Sequence, residues 1–369
     1  MKVILDDLDA LEVALAPYRA RSNREIEVLL DTYEATRAAR ERPSGRTLAA
    51  NRKILLAGKR YRYAIASLAF QGLTGSGDLD VLARPATWVE LYHVYTLFLD
   101  DIMDEDERRR TFPSAWYTNA KAYRGKDAAK PARLFRTVRH RYGGSMAILD
   151  ALRIRSLAER AIQTASVPGA TRGQLLEILT ETDLRLSDGQ GIDIDLETAR
   201  SLSEDEYARM SEMKTGVLYV AAAKTGALLA GAPDFRSRAI EEYARRFAWA
   251  FQDRDDLLGA GVVSSRIGGS QTGDVEKGKR TRLFAIAIAA MPPGKRGAFT
   301  RAYGRGPKTT AKDVRFVRDA FRAYALEATM KRIEENVERA IASLSAANLA
   351  DPYRQTLESL ARVQLHRQS

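Results

Sequence analysis

Apolar residues recur at intervals of three and four along most of the chain, which is the period of an amphipathic helix. Within residues 86–107 the apolar positions with this spacing are Val89, Tyr92, Tyr95, Leu99 and Ile102. Three further segments have the same helical character: 205–231, 236–258 and 316–346. No stretch alternates with period two for long enough to predict a sheet. The pattern therefore predicts an all-α protein.

Breaks in the helical pattern are short. Prolines separate segments rich in Ala, Leu, Arg and Glu, which are good helix formers. The longest breaks are a basic stretch at 119–142 and a polar loop rich in Gly and Ser at 259–273. Helical pattern resumes on both sides of each break. We therefore expect residues 1–369 to form a single helical domain.

Composition excludes several classes of protein. The longest apolar run, Leu283 to Met291, is too short to span a membrane. The N-terminal sequence carries acids where a signal peptide needs an apolar stretch, and cysteine is absent, so a cytoplasmic protein without thiol chemistry is expected. The chain has only three histidines, so we do not expect a zinc site built from several histidines.

The net charge of +11 is compatible with binding phosphate, since guanidinium groups bind phosphate in bidentate fashion. An Arg-rich composition spread over solvated helix faces explains the charge equally well. No nucleic-acid motif or basic–aromatic cluster accompanies it, so no nucleic-acid partner is expected.

The first cluster of acids follows an apolar helical segment, at residues 99–110. Asp100 and Asp104 are four residues apart and share one helix face, with Asp101 beside them. Arg109 and Arg110 follow. Like charges packed in this way destabilise a helix unless a cation offsets them. The cluster is either a solvated helix end or a site for cations.

A second acidic cluster lies at residues 251–259, again at the end of an apolar helical segment. Asp255 and Asp256 are adjacent, and Gln252 precedes Asp256 by one helical turn. Two such helix ends facing each other across a bundle could hold Mg²⁺, which takes one or two carboxylates and leaves its other positions to water and phosphate oxygens.

Cations near these clusters would bind the phosphate itself. The candidates are Lys59, Arg60, Arg62, Lys214, Lys277 and Lys279. Carboxylates for metal, cations for phosphate and apolar helix faces together predict a site for a diphosphate that carries a hydrocarbon tail.

Seven short motifs occur in one order along residues 58–281. They are G-K-R-x-R at Gly58, Lys59, Arg60 and Arg62; E-x-x-H at Glu90 and His93; D-D-x-x-D with its trailing arginines at Asp100, Asp101, Asp104, Arg109 and Arg110; G-Q-x-x-D at Gly189, Gln190 and Asp193; K-T at Lys214 and Thr215; F-Q-x-x-D-D at Phe251, Gln252, Asp255 and Asp256; and G-K-x-T at Gly278, Lys279 and Thr281. In this the chain resembles the trans-isoprenyl diphosphate synthases, the polyprenyl synthetase family.

The resemblance implies a helical bundle of the isoprenoid synthase type with a central apolar cavity, a homodimer, and Mg²⁺-dependent condensation of isopentenyl diphosphate with an allylic diphosphate. Mn²⁺ could replace Mg²⁺. The implied metal ligands are Asp100, Asp101, Asp104, Asp255 and Asp256, which with Lys214 form the catalytic set. The implied contacts to the allylic diphosphate are Arg109, Lys214, Thr215, Gln252 and Lys279. The implied contacts to isopentenyl diphosphate are Lys59, Arg62, His93 and Arg110.

The sequence departs from the family pattern at two positions, and it leaves two alternative functions open. Gly259 stands where the third aspartate of the second motif is usual, and Gly269 stands where a lysine is usual. One alternative function is that of a class I terpene cyclase, whose second metal motif should read differently. The other is that of a catalytically silent helical subunit, which would be expected to lose its acids or arginines first.

Tyr95 and Thr96 are expected to set product length. They lie roughly 6–7.5 Å before Asp100 along a helix. Helical side chains lean towards the N-terminus, so the Tyr95 ring could form a floor beneath a growing chain, whereas small Thr96 leaves space above it. The resemblance associates this pair with farnesyl or geranylgeranyl diphosphate, and geranylgeranyl diphosphate is favoured. Alternatively, Tyr95 points into a neighbouring helix.

Overall fold

The computed structural model describes residues 2–36, 47–109, 112–129, 134–198, 203–263 and 273–367. Almost all of this part of the chain is helical. Its one named pair of strands is a short antiparallel hairpin, β1 (Arg108–Arg109) and β2 (Phe112–Pro113). The prediction of an all-α fold is confirmed. Among the described helices, none combines the length and apolarity needed to cross a membrane.

The described residues form a series of α-helices. They are α1 (Lys2–Ala35), α2 (Thr47–Ala50), α3 (Arg52–Leu56), α4 (Tyr61–Thr74), α5 (Asp80–Ala86), α6 (Trp88–Met103), α7 (Ala115–Ala122), α8 (Val138–Gln163), α9 (Gly169–Thr198), α10 (Glu204–Ser211), α11 (Val217–Leu229), α12 (Asp234–Gly259), α13 (Gly273–Lys277), α14 (Arg282–Ala290), α15 (Pro293–Ala302), α16 (Ala311–Tyr324), α17 (Leu326–Ala347) and α18 (Tyr353–Arg362). A π-helical turn, Glu212–Gly216, joins α10 to α11.

The chain divides into two compact units. The N-terminal unit comprises Leu15–Ser67 and Gly77–Leu176. The C-terminal unit comprises Met1–Ala14, Leu68–Ser76 and Glu177–Ser369. The single domain expected over residues 1–369 stays a prediction.

In the N-terminal unit, α6 and α7 both pack against α8. Gly143 permits the close approach of α7, because a Cβ atom there would lie 2.4 Å from the carbonyl oxygen of Trp116. Buried Asp150 of α8 accepts hydrogen bonds from Thr47 Oγ1 at 2.7 Å and Asn51 Nδ2 at 3.2 Å. These bonds attach the segment around α2 and α3 to α8.

In the C-terminal unit, α12 packs along α17 and against α11. The rings of Tyr219 and Phe247 meet edge to face across α11 and α12, 5.2 Å apart. The Tyr243 hydroxyl donates a 2.6 Å hydrogen bond to the carbonyl oxygen of Leu357. A second group of aromatic rings joins α14, α15 and α16: Phe284, Phe299, Tyr303 and Phe321.

Several helix boundaries differ from the sequence prediction. The π-helical turn interrupts the helix expected over 205–231, and Ala325 separates α16 from α17 within 316–346. Prolines do not always separate helices, since Pro17 lies inside α1 and Pro85 inside α5. Residues on both sides of Pro17 are buried, so tertiary packing outweighs the loss of one backbone hydrogen bond.

We expect Phe321→Ala to lower the free energy of unfolding by about 3–5 kcal/mol, because the ring is fully buried against Phe299 and Tyr303. Phe316 lies on the same helix with 42% of its surface exposed and provides the control. Phe316→Ala should cost less than about 1 kcal/mol. Urea unfolding of the full chain measures both, and equal losses would contradict this packing.

Candidate active site

The first acidic cluster lies at the C-terminal end of α6, which ends at Met103 with Asp104 as its C-cap. Tyr92 and Phe98 anchor this helix, since both side chains are completely buried. Carboxylates at this end of a helix face the partial negative charge of the backbone carbonyls. The cluster therefore requires a compensating cation.

Arg109, on β1, is that cation. Its Nε donates a 2.7 Å hydrogen bond to Asp101, and one terminal nitrogen donates to Asp100 at 2.9 Å. Burial raises the pKa of Asp101 to about 6, although the charge of Arg109 opposes this rise. Asp100 keeps part of its side chain accessible to solvent, whereas Asp101 is almost fully enclosed.

Trp116 on α7 holds the chain that follows the cluster. Its indole N–H donates to the carbonyl oxygens of Asp106 at 2.8 Å and Asp101 at 3.1 Å. The Asp101 carbonyl also accepts from the Asp106 N–H at 2.8 Å, so the indole ties the turn that follows α6 to a neighbouring helix.

The basic segment Gly58–Arg62, which leads into α4, belongs to the same unit. Arg62 is 9% exposed, and the Lys59 ammonium lies 5.7 Å from the centre of the Tyr61 ring. Arg60 is buried and forms an ion pair with Glu90 of α6. Arg60 was a candidate for binding phosphate, but the structure encloses its guanidinium among protein groups instead. His93 lies one helical turn after Glu90 and is half-buried.

Tyr95 and Thr96 lie between His93 and the acidic cluster. The Tyr95 ring meets Tyr92 edge to face, with centroids 5.1 Å apart. Because Tyr92 lies three residues earlier, the ring is turned back along α6, as expected for a helical side chain. Thr96 donates its hydroxyl to the carbonyl oxygen of His93 at 2.8 Å.

In the C-terminal unit, the π-helical turn carries Lys214 and Thr215. Glu212, the first residue of this turn, accepts hydrogen bonds from Trp249 Nε1 at 2.8 Å and Arg245 Nε at 3.3 Å, both from α12. Lys214 forms a 2.5 Å ion pair with Asp193. The predicted K-T and G-Q-x-x-D motifs are therefore in direct contact.

A chain of hydrogen bonds connects the K-T and F-Q-x-x-D-D motifs. Thr215 donates to Gln252 Oε1 at 3.0 Å, and Gln252 Nε2 donates to Asp256 Oδ1 at 3.0 Å. Tyr207 donates to the other oxygen of Asp256 at 2.8 Å. Burial raises the pKa of Asp256 to about 8. Both oxygens of this carboxylate are thus engaged within the protein.

Asp255 has a different environment, with 41% of its side chain exposed. Arg367 forms a 2.5 Å ion pair with it, and the same guanidinium lies 4.0 Å from the centre of the Phe251 ring. Each acidic cluster therefore includes a partly accessible carboxylate that is paired with an arginine.

The second motif ends at Gly259, where the third aspartate of the family pattern is absent. Another carboxylate occupies the adjacent space, because a Cβ atom on Gly259 would lie 2.1 Å from Asp274 Oδ2. Nearby, Lys279 is half-buried, and Thr281 caps α14 by accepting from the Phe284 N–H. Arg110 and Gly269 lie outside the described residues.

Tyr207 and Arg367 form hydrogen bonds with predicted site residues and were not expected from the sequence, and neither was Asp274 beside Gly259. Tyr207 precedes Lys214 by two helical turns, a spacing that could have revealed it. Arg367 is 112 residues from Asp255, and no local pattern connects them.

The partly accessible carboxylates in each unit agree with the chemistry of Mg²⁺ binding. No group of three or more His, Asp or Glu side chains suited to a metal ion occurs in the part of the chain that the structure describes. Mg²⁺ does not need such a cage, since it is usually bound through one or two carboxylates together with water and substrate phosphates. Asp100, Asp104 and Asp255 provide partly accessible carboxylates of this kind.

Comparison with known proteins gives one consistent result. A geranylgeranyl diphosphate synthase of Methanosarcina mazei is 31% identical over 286 residues, which cover 76% of this chain and 79% of that protein. A (2E,6E)-farnesyl diphosphate synthase of Mycobacterium tuberculosis is 31% identical over 67% of this chain and 62% of its own length.

Among solved structures, a geranylgeranyl pyrophosphate synthase of Corynebacterium glutamicum, complexed with isoprenyl diphosphate and magnesium, matches with a TM-score of 0.85 and 26% identity. This match covers 96% of the present chain and 99% of that structure. The family model described as polyprenyl synthetase matches residues 47–320. With this match and the acidic and basic motifs in place, the chain belongs to the polyprenyl synthetase family.

Proposed function

We propose that this trans-prenyltransferase condenses isopentenyl diphosphate with an allylic diphosphate to form a short-chain trans-prenyl diphosphate, most favourably geranylgeranyl diphosphate and next farnesyl diphosphate. The observation that carries the proposal is the pair of acidic helix ends, each with an accessible carboxylate held by an arginine. The family match disfavours a terpene cyclase or a silent subunit.

The proposed reaction breaks the C1–O bond of the allylic diphosphate, and the bonding electron pair leaves with the diphosphate. The double bond of isopentenyl diphosphate then attacks the allylic carbocation to form the new C–C bond. A proton is finally lost from the coupled cation, and the released diphosphate accepts it. Groups that stabilise the leaving diphosphate therefore lower the barrier to ionisation.

Residue roles in this reaction follow the sequence predictions. Asp100, Asp101, Asp104, Asp255 and Asp256 are the proposed carboxylates for divalent metal, which the family uses. Mg²⁺ is proposed here, with Mn²⁺ as a substitute, and neutralises charge on the diphosphate when bound. Accessible oxygens favour Asp100, Asp104 and Asp255 for direct coordination. Asp101 and Asp256 are enclosed, which suits them to orienting their neighbours.

Two sets of cations and polar groups would bind the substrates. The set for the allylic diphosphate is Arg109, Lys214, Thr215, Gln252 and Lys279. The set for isopentenyl diphosphate is Lys59, Arg62, His93 and Arg110. Lys214 and Arg109 are already held by carboxylates, so binding of substrate would replace one anionic partner with another.

A homodimer is also proposed. Its support is an apolar strip on α8, where Ile148, Leu149 and Leu152 are 38%, 42% and 50% exposed. Adjacent exposed apolar side chains on one helix are typical of surfaces that associate. The cytoplasmic location stays a prediction.

The direct test is incubation of the full chain with isopentenyl diphosphate, each allylic primer in turn, and Mg²⁺, with identification of the products. We expect a prenyl diphosphate with Mg²⁺ or Mn²⁺ and none with chelator. Asp100→Asn should reduce turnover by about a hundredfold or more, because it removes a carboxylate proposed to bind the metal that neutralises the leaving diphosphate.

Asp183→Asn is the control for the loss of a carboxylate, since Asp183 lies on α9 outside every motif. This variant should retain turnover within about twofold. Coupling that persists in chelator would contradict the proposed mechanism.

Gly259→Asp should reduce both thermal stability and turnover, because the new side chain would meet the Asp274 carboxylate. Gly259→Ala is the control for steric crowding alone and should have the smaller effect. In the double variant Gly259→Asp, Asp274→Asn, we expect part of the loss to be recovered. Additive losses in this double-mutant cycle would show that the two positions are independent.

Tyr95→Ala should shift the products to longer chains, because it removes the ring proposed as the floor of the hydrocarbon site. Thr96→Phe should shorten them by filling the space above that floor. Product chromatography with a common allylic primer measures both. An unchanged product distribution in both variants would show that other residues determine chain length.

A further inference from the structure

We propose that Arg60 and Glu90 form a buried positioning pair that holds the segment Gly58–Tyr63, which comprises the loop before α4 and the start of its first turn, against α6 and thereby sets the affinity for isopentenyl diphosphate. The proposal rests on the function proposed above, in which Lys59, Arg62 and His93 bind that substrate. The sequence offered Arg60 as a phosphate-binding cation, but its side chain is enclosed with Glu90, and Glu90 was assigned no substrate contact.

The backbone at Arg60 is unusual. Its φ angle is +57°, in the left-handed region that residues with a side chain rarely adopt. Such a conformation persists only where the surroundings enforce it, and it is frequent at functional sites. Arg60 directly precedes α4, so this angle sets the direction in which the loop enters the helix.

The contacts of the Arg60 side chain supply that enforcement. Its Nε donates to Asn23 Oδ1 at 2.8 Å, and its two terminal nitrogens donate to Glu90 Oε2 at 3.4 Å and to the carbonyl oxygen of Leu55. Arg60 is 3% exposed. Burial lowers the pKa of Arg60, and the Glu90 carboxylate opposes that decrease. A buried charge of this kind needs its partner.

Glu90 binds both the residue before α4 and the first turn of α4. While Oε2 pairs with Arg60, Oε1 accepts a 3.0 Å hydrogen bond from the backbone N–H of Tyr63. This N–H lies in the first turn of α4, where it has no acceptor within the helix. One enclosed carboxylate thus fixes both the residue before α4 and the first turn of α4.

The pair lies among the residues proposed to bind isopentenyl diphosphate. Lys59 precedes Arg60 by one residue, and Arg62 follows by two. His93 follows Glu90 by one turn of α6, so the helix that carries the carboxylate also carries the third substrate contact. A shift of the loop would move Lys59 and Arg62 relative to His93 and weaken the substrate contacts together.

The test compares Glu90→Gln, Arg60→Met and Arg60→Lys in steady-state kinetics with both substrates varied. We expect Glu90→Gln and Arg60→Met to raise the KM for isopentenyl diphosphate about tenfold or more, the effect of losing a charge-assisted hydrogen bond. The KM for the allylic substrate should stay within about twofold. Arg60→Lys keeps the charge and should recover part of the loss. Arg62→Ala provides the reference for a direct contact.

A control separates positioning from loss of stability. Val317→Ala removes packing at a fully buried position of α16, far along the chain from the loop. It should lower the melting temperature and change neither KM. Asn23→Ala removes one contact of Arg60 and provides a milder variant if the others do not fold. We expect it to raise the KM for isopentenyl diphosphate about two- to fivefold.

Unchanged KM values in folded Arg60 and Glu90 variants would overturn the proposal, and so would an equal rise for both substrates. The wild-type enzyme distinguishes this outcome from failure of the proposed function. If wild type forms no prenyl diphosphate, the function is wrong. If it does so while the variants keep their affinity for isopentenyl diphosphate, only the positioning role is wrong.

Discussion

The need to compensate negative charge at the ends of two helices, α6 and α12, governs the local arrangement of each acidic cluster. The acids at the end of α6 lie where the helix backbone already presents partial negative charge, and Arg109 offsets them. Asp255, near the end of α12, is offset by Arg367. In each unit the compensating arginine comes from a later part of the chain, so folding must bring the two together.

The same constraint separates two kinds of carboxylate within each cluster. Asp101 and Asp256 are enclosed, and burial raises the pKa of both. Asp100 and Asp255 remain partly accessible, and each has an arginine as its partner. An accessible carboxylate can exchange its partner at low cost, because water solvates it during the exchange. An enclosed carboxylate cannot, because it would be left buried and unpaired. The accessible group is thus suited to binding and the enclosed group to holding it in place.

Much of this could be predicted from the sequence because it depends on local spacing. Helical periodicity identified the helices, and the four-residue interval between Asp100 and Asp104 placed them on one face. The spacing of residues within a motif does not reveal which of them is buried, because burial depends on how the helices pack. Arg60 is an example, because its sequence neighbours suggest a phosphate contact, whereas its side chain is enclosed with Glu90. Long-range contacts such as that of Arg367 leave no local signal.

The carboxylates of the acidic helix ends should bind diphosphate only together with a divalent metal. Calorimetric titration of the full chain with inorganic diphosphate, with Mg²⁺ and then with chelator, tests it most directly. We expect binding with Mg²⁺ and an affinity lower by about a hundredfold or more in chelator, because the carboxylates and the diphosphate repel one another when no metal lies between them. Equal affinity under both conditions would show that the arginines and lysines bind diphosphate without metal, and the carboxylates would then have no part in binding.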